Sequence, residues 1–187
     1  MTLRDAVLVA LLDTEASGYD LAKSFDASVS NFWMATPQQL YRELDRLADD
    51  GLISARLVHQ ERRPDKRVYS LTDAGHAAIR TFSRTAPKPG VLRDELYVKV
   101  AALDGDNAAQ IQHFVTERRQ WAAAKLERYE RIRQRLLDGR TERQFLAEAA
   151  RIGPYLTLLR GISLERDNID WADKTLAVIA DRLQARQ

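Results

Sequence analysis

The chain has 187 residues, 45% hydrophobic and 30% charged, with a formal net charge of +2, the make-up of a globular protein of one or two domains. It has no cysteine, which excludes disulfides, thiolate catalysis and cysteine-ligated zinc, and its three histidines, His59, His76 and His113, lack the spacing of metal ligands. The longest apolar run near the start, AVLVALL, is seven residues, against the roughly 20 of a spanning helix; with no basic leader and cleavage site either, a cytoplasmic protein without membrane contact is expected.

Residues 2–15, TLRDAVLVALLDTE, put Val7, Leu8, Leu11 and Leu12 on one stripe and predict a first helix. SGYDLAKSFDAS follows, with Ser17 as N-cap and Leu21 and Phe25 four residues apart. A third helix is predicted from Pro37, with Thr36 as its cap, Gln39 completing a capping box and Asp50-Gly51 ending it. Its apolar face is Leu40, Leu44 and Leu47. That leaves Gln38, Tyr41 and Arg42 outward at the start, and Asp45 and Asp49 outward at the end. The period then changes: LISARLVHQ and KRVYSLT, separated by ERRPD, read as two strands joined by a charged turn. LTDAGHAAIRTF begins a fourth helix, capped by Thr72 or Asp73. RTAPKPGVL, with two prolines and a glycine, marks the junction. The expected division is 1–83, a linker at 84–91, and 92–187.

Beyond the junction every pattern is helical. LRDELYVKVAAL is short, and a long helix runs from Asn107 to its stop at Gly139. A second helical region spans Thr141 to Arg186, and Gly153-Pro154 inside it should break or kink it. Two long amphipathic helices bury poorly on themselves in a chain of this size, and pairing with a second copy is the economical solution. Arg118, Arg166 and Asp173 fall at positions along the apolar stripes. They either specify register or partner, or lie on a rim with their stems along apolar surface.

Bulk charge does not announce a nucleic-acid partner. Residues 1–82 hold ten Lys+Arg against twelve Asp+Glu, and residues 83–187 hold nineteen against fifteen. Local clusters say more. Three helices followed by a hairpin is the order of a winged helix-turn-helix, whose third helix enters the DNA major groove by its N-terminal end. Gln38 can pair with adenine and Arg42 with guanine, at ~1–3 kcal/mol of discrimination for a good pair. Asp45 and Asp49 would be repelled by phosphates, so only the start of the helix suits the groove. The hairpin carries Arg56, Arg62, Arg63, Lys66 and Arg67 against Glu61 and Asp65, a set that can neutralise backbone phosphates or reach the minor groove. The bland alternatives are a solvated helix face and a charged tip that protects a sheet edge. Gln39 is already explained by its capping box.

The stretches SGYDLAKSF, FWMATPQQLYRELDRLADDGLI, RRPDKRVYSLTDAG and LRDELYVKV, in this order and spacing, cover most of residues 1–100. Together they resemble the PadR family of bacterial transcriptional regulators. YLTLLRGISLERDNIDWADKTL is similar to the long C-terminal helical domain of that family's larger members. The resemblance implies a mainly α protein: an N-terminal winged helix-turn-helix with a two-stranded wing, and an all-helical dimerisation domain. It implies a homodimeric repressor of a palindromic double-stranded DNA operator, with contacts from Thr36, Gln38, Gln39, Tyr41 and Arg42 and from the wing through Arg62, Arg63, Lys66 and Arg67, with Tyr69 at its base. One departure is Arg62, where the family commonly has glycine; it removes conformational freedom and adds a cation.

Family members also respond to small molecules, often phenolic or aromatic. Trp121, Tyr129, Phe145, Tyr155 and Trp171 raise the question of an effector pocket, but aromatic residues on long helices usually serve core or interface packing. Trp33 could couple a pocket to DNA geometry or simply anchor the core. No cofactor or metal is expected. The dispersed histidines and the lack of a phosphate-binding Gly-rich loop also argue against an enzyme. The competing reading is a helical protein-interaction adaptor that keeps the winged fold without binding DNA.

Overall fold

The computed structural model describes residues 2–28, 35–59, 65–88, 90 and 93–184, with the side chains of 24–28 left aside. The chain divides into two compact units, residues 1–89 and 90–187. Trp33, Arg62 and Arg63, and with them residues 61–64 of the turn expected at ERRPD, lie outside the described residues.

In the first unit α1 is Leu3–Ala10, started by the Thr2 backbone N–H donating to Asp5 Oδ2 at 2.8 Å. It stops earlier than the apolar stripe suggests. The Leu11 and Leu12 amides close the last turn on Leu8 O and Val9 O, a tightening typical of helix ends. The chain then extends into β1, Ala16–Ser17. Helix α2, Gly18–Ser28, is capped by Ser17, whose Oγ accepts the Asp20 N–H at 3.1 Å and donates to Asp20 Oδ2 at 2.7 Å.

Helix α3 is Pro37–Asp49, β2 Ile53–Val58, β3 Lys66–Leu71 and α4 Asp73–Arg84. The two long strands form the expected antiparallel hairpin, in register from Ile53 opposite Leu71 to Val58 opposite Lys66. The sequence reading missed a third strand. β1 pairs with the other edge of β3, Ala16 opposite Tyr69 and Ser17 opposite Val68, giving the order β1-β3-β2. Two residues carry no period, so alternation could not reveal it.

The core joins Val7 and Leu8 of α1, Leu21 of α2, Leu40, Leu44 and Leu47 of α3, and Ile53 and Tyr69 of the sheet. The end of α3 is closed by a Schellman arrangement. Gly51 takes φ 69°, its amide reaches Ala48 O at 3.0 Å, and the Leu52 amide reaches Leu47 O at 2.9 Å. Thr72 caps α4 through the Gly75 amide, 3.1 Å, and donates its hydroxyl to Gly51 O at 2.7 Å. A Cβ at Gly75 would stand 2.2 Å from Leu52 O, so only glycine lets α4 approach there.

In the second unit α5 is Glu95–Ala101, α6 Ala108–Leu137, α7 Glu142–Glu148 and α8 Gly153–Gln184. Helices α6 and α8 pack along each other antiparallel. Ile111 and Val115 meet Ala172 and Ile179 at one end, Tyr129 meets Leu158 and Ile162 in the middle, and Leu137 meets Phe145 and Tyr155 at the other end. The two stripes therefore bury largely on each other within one chain.

The helical region after Thr141 is broken, as Gly153-Pro154 suggested. Helix α7 ends at Glu148 and α8 begins at Gly153, with Pro154 in the first turn, where a missing N–H costs nothing. The charges on the stripes bridge helices. Arg118 holds Asp94, the N-cap of α5, through bonds of 2.6 and 3.1 Å. Arg119 pairs with Asp173, and Arg166 with Glu130. Among the described residues no helix is long and apolar enough to cross a membrane.

Candidate nucleic-acid interface

The start of α3 is preset by its cap. Thr36 Oγ1 accepts the Gln39 amide at 3.2 Å, and Gln39 Oε1 accepts the Thr36 amide at 2.9 Å. This capping box occupies the Gln39 side-chain oxygen, and Pro37 supplies a fixed φ at the first helical position. With Leu40, Leu44 and Leu47 buried, Gln38, Tyr41, Arg42 and Asp45 are exposed. Among the described residues Arg42 makes no ion pair or hydrogen bond. Its guanidinium is thus free for an external acceptor.

Tyr41, 44% exposed, is held from beneath. A Cβ built on Gly18 would fall 2.3 Å from Tyr41 Cε1, so the ring packs directly on the first residue of α2. Beside it an open groove of ≈ 360 Å³ is lined by residues of α2, α3 and β3, including Tyr19, Tyr41, Asp45, Lys66, Arg67 and Tyr69. The groove brings the outward side of α3 together with the described cations of the hairpin's second strand.

Those cations are not bare. Arg67 Nη1 stands 3.7 Å from Asp45 Oδ1, and Lys66 Nζ stands 3.6 Å from Asp20 Oδ2. Ser17 and then Lys66 hold the Asp20 carboxyl below its ordinary range, so it stays ionised as a partner. On β2, Arg56 pairs with Glu15 and, near the tip, His59 Nδ1 lies 2.7 Å from Asp65 Oδ2.

Of the residues expected at a DNA contact, Gln38, Tyr41, Arg42 and Arg67 are exposed, and Lys66 is half-buried. Thr36 and Gln39 are exposed but engaged in the cap. Tyr69 differs: only 4% exposed, it sits in the core between Ala16 and Ala55 of the flanking strands. Its ring supports the groove floor. Arg62 and Arg63 fall outside the described residues. Sequence reasoning missed Gly18, Asp20 and Glu15, whose roles arise from contacts between elements; SGYD signalled only a cap.

Two family models divide the chain as the two units do. The one described as the transcriptional regulator PadR-like family matches residues 7–81, and the one described as the virulence activator alpha C-terminal region matches residues 92–180. The chain is 33% identical to the probable transcriptional regulator Rv1176c of Mycobacterium tuberculosis, covering 100% of both chains. It is 29% identical to the negative transcriptional regulator PadR of Bacillus subtilis, over 95% of this chain and 97% of that protein.

Among solved structures, the fold is similar to that of B. subtilis PadR in complex with operator DNA, with TM-score 0.70, 28% identity, and coverage of 95% of this chain and 98% of that one. The same protein in complex with p-coumaric acid aligns with TM-score 0.64 and 26% identity over 95% and 98%. The Vibrio cholerae virulence activator AphA aligns over 100% of both chains with TM-score 0.66 and 28% identity. These relatives are regulators of transcription, not enzymes. Matched by both models, and by a relative one-third identical from end to end, the chain belongs to the PadR-like family of transcriptional regulators, among its larger members with a C-terminal helical domain.

Proposed function

We propose that this regulator binds a palindromic DNA operator as a homodimer, represses transcription there, and is released by a small phenolic or aromatic effector. The observation that carries the DNA reading is the free Arg42 beside Gln38 on the exposed start of α3, next to a groove shared with Lys66 and Arg67. Gln38 and Arg42 are read as the base-contacting pair, Tyr41, Lys66 and Arg67 as backbone contacts, and Arg62 and Arg63 as the tip of the wing. Thr36 and Gln39 hold the helix entry, and Tyr69 holds the sheet beneath it.

Support for this reading comes from B. subtilis PadR, which is described with operator DNA and is named a negative regulator. The effector follows from the p-coumaric acid complex of the same protein. Dimerisation is supported by apolar side chains that the helical unit leaves in water, among them Val98 at 71% and Trp121 at 68% exposure.

Selection of bound fragments from random duplex DNA tests the central claim. The expected product is a palindrome whose half-sites lie about one helical turn, ~34 Å, apart. Arg42→Ala should lose about tenfold or more in affinity for that duplex, as a lost guanine contact of ~1–3 kcal/mol implies. Arg63→Ala/Arg67→Ala should weaken binding to all duplexes alike. Recovery of no duplex would remove the DNA reading. Sedimentation reads the dimer, a reporter gene reads the sign of regulation, and added p-coumarate reads release.

A further inference from the structure

Each described cation of the hairpin faces a carboxylate from another part of the unit. Arg67 faces Asp45 of α3, Lys66 faces Asp20 of α2, and Arg56 faces Glu15 in the stretch before β1. Arg42, on the same side of α3 as Asp45, has no such partner among the described residues. The pairs are open to water: side-chain exposure is 66% and 64% for Arg67 and Asp45, and 41% and 54% for Lys66 and Asp20. Exposed pairs at such distances are weak, worth ~0.2–1 kcal/mol, and a phosphate can replace the carboxylate.

We propose that Asp20 and Asp45 are exchangeable counter-ions of the wing, displaced from Lys66 and Arg67 by DNA phosphates, and that they restrain the sequence-independent part of the affinity for DNA. This rests on the reading of α3 and the hairpin as a DNA surface. A bare cation that meets a phosphate releases condensed counterions and contributes about 0.9 to the salt slope. Where a carboxylate is uncovered in the same step, it recruits a cation from solution and the release nearly cancels. Lys66 and Arg67 then add less to sequence-independent affinity than bare cations would. A duplex that also satisfies Gln38 and Arg42 keeps its base contacts unchanged, so the acids lower the affinity for every duplex by the same factor and leave recognition to the bases.

The test uses the full chain and two duplexes: one selected by the wild-type protein, and a scrambled duplex of the same composition. Affinities are measured over a series of salt concentrations. Asp45→Asn and Asp20→Asn should each raise affinity for the scrambled duplex by about two- to five-fold, the range of an exposed pair. Each should also steepen the salt slope by about one unit for both duplexes and leave the ratio between them unchanged. Thermal melts unchanged from wild type confirm that the variants fold.

In an Arg67→Ala background, Asp45→Asn should have no further effect, because Asp45 acts through Arg67. A gain that persists there means direct repulsion between Asp45 and phosphate, and overturns the proposal. So does no gain in the single variants while the wild type binds its duplex. Failure of the wild type to select any duplex would instead remove the DNA reading itself, and this inference with it.

Discussion

In the N-terminal unit Arg67 and Asp45 stand 3.7 Å apart with about two-thirds of each side chain in water, 66% and 64%. In the helical unit Arg118 holds Asp94 through two bonds, with 25% and 19% of the side chains exposed. The residue types are the same, but geometry and solvent separate their uses. An exposed, single-contact pair is exchanged easily for another anion. A half-buried, bidentate pair is lost only at the cost of leaving a desolvated charge behind. The first kind suits a surface that must meet a polyanion, and the second suits helices that must keep their register.

The sharpest way to break this contrast is Asp94→Ala. It removes both the bidentate partner of Arg118 and the cap that accepts the Leu96 amide at 3.0 Å, and should cost about 3 kcal/mol in urea denaturation. The pair also fixes a pH response. Hydrogen bonding from Arg118 holds the Asp94 carboxyl below its ordinary range. Its folded-state value lies under the unfolded one, so its contribution is complete above ~pH 4 and is lost as pH falls through the folded-state value. Asp94→Asn should remove that part of the acid sensitivity, as read by melts from neutral pH down into the acid range.

Next in size is Lys125→Met. Glu165 of α8 is 4% exposed and receives Lys125 Nζ at 3.0 Å and Asn168 Nδ2 at 3.0 Å. Loss of the ammonium should destabilise the helical unit by about 2 kcal/mol, less than for a fully buried pair because Lys125 is partly in water. A stability loss no larger than that of Arg67→Ala would mean that burial does not separate the two kinds of pair.

In the first unit the corresponding probe is a glycine. Gly18→Ala forces Tyr41 off its present seat and should reduce affinity for a selected duplex about tenfold, or 1.4 kcal/mol, with thermal stability changed far less. Unchanged affinity would take Tyr41 out of the interface. The smallest effect is expected of Tyr129→Phe. Among the described residues Tyr129 Oη is buried with no hydrogen-bond partner at ordinary geometry, so its removal should change stability by no more than about 0.5 kcal/mol, in either direction.

The winged architecture was readable because its signals are local. Thr36, Pro37 and Gln39 announce the start of α3, three leucines its buried face, Gly51 its end, and the change of period its hairpin. The split of the last helical region was readable for the same reason, since Pro154 carries its own constraint. What escaped depends on tertiary contact: β1 exists only because β3 has a free edge, and the burial of Tyr69, expected at the base of the wing, comes from the core packed against the sheet.

The pairing of α6 with α8 also escaped. Amphipathic stripes say that a helix needs a partner, but not that the partner lies later in the same chain. At the candidate interface, residue types were legible one at a time, whereas the facing of Arg67 to Asp45 and of Lys66 to Asp20 spans more than twenty residues of sequence.

The Schellman turn at Gly51 carries a mechanical consequence. The Leu52 amide is bonded back into the last turn of α3, β2 begins at the next residue, and the Thr72 hydroxyl ties Gly51 O to the start of α4. No slack residue separates the helix from the hairpin. Helix α3 and the hairpin meet through these bonds like two prongs of one tool, and re-aiming one against the other at this turn means breaking them. A signal that alters grip on DNA must therefore swing the whole tool or break this joint, and hydrogen exchange at the Gly51 and Leu52 amides would tell the two apart.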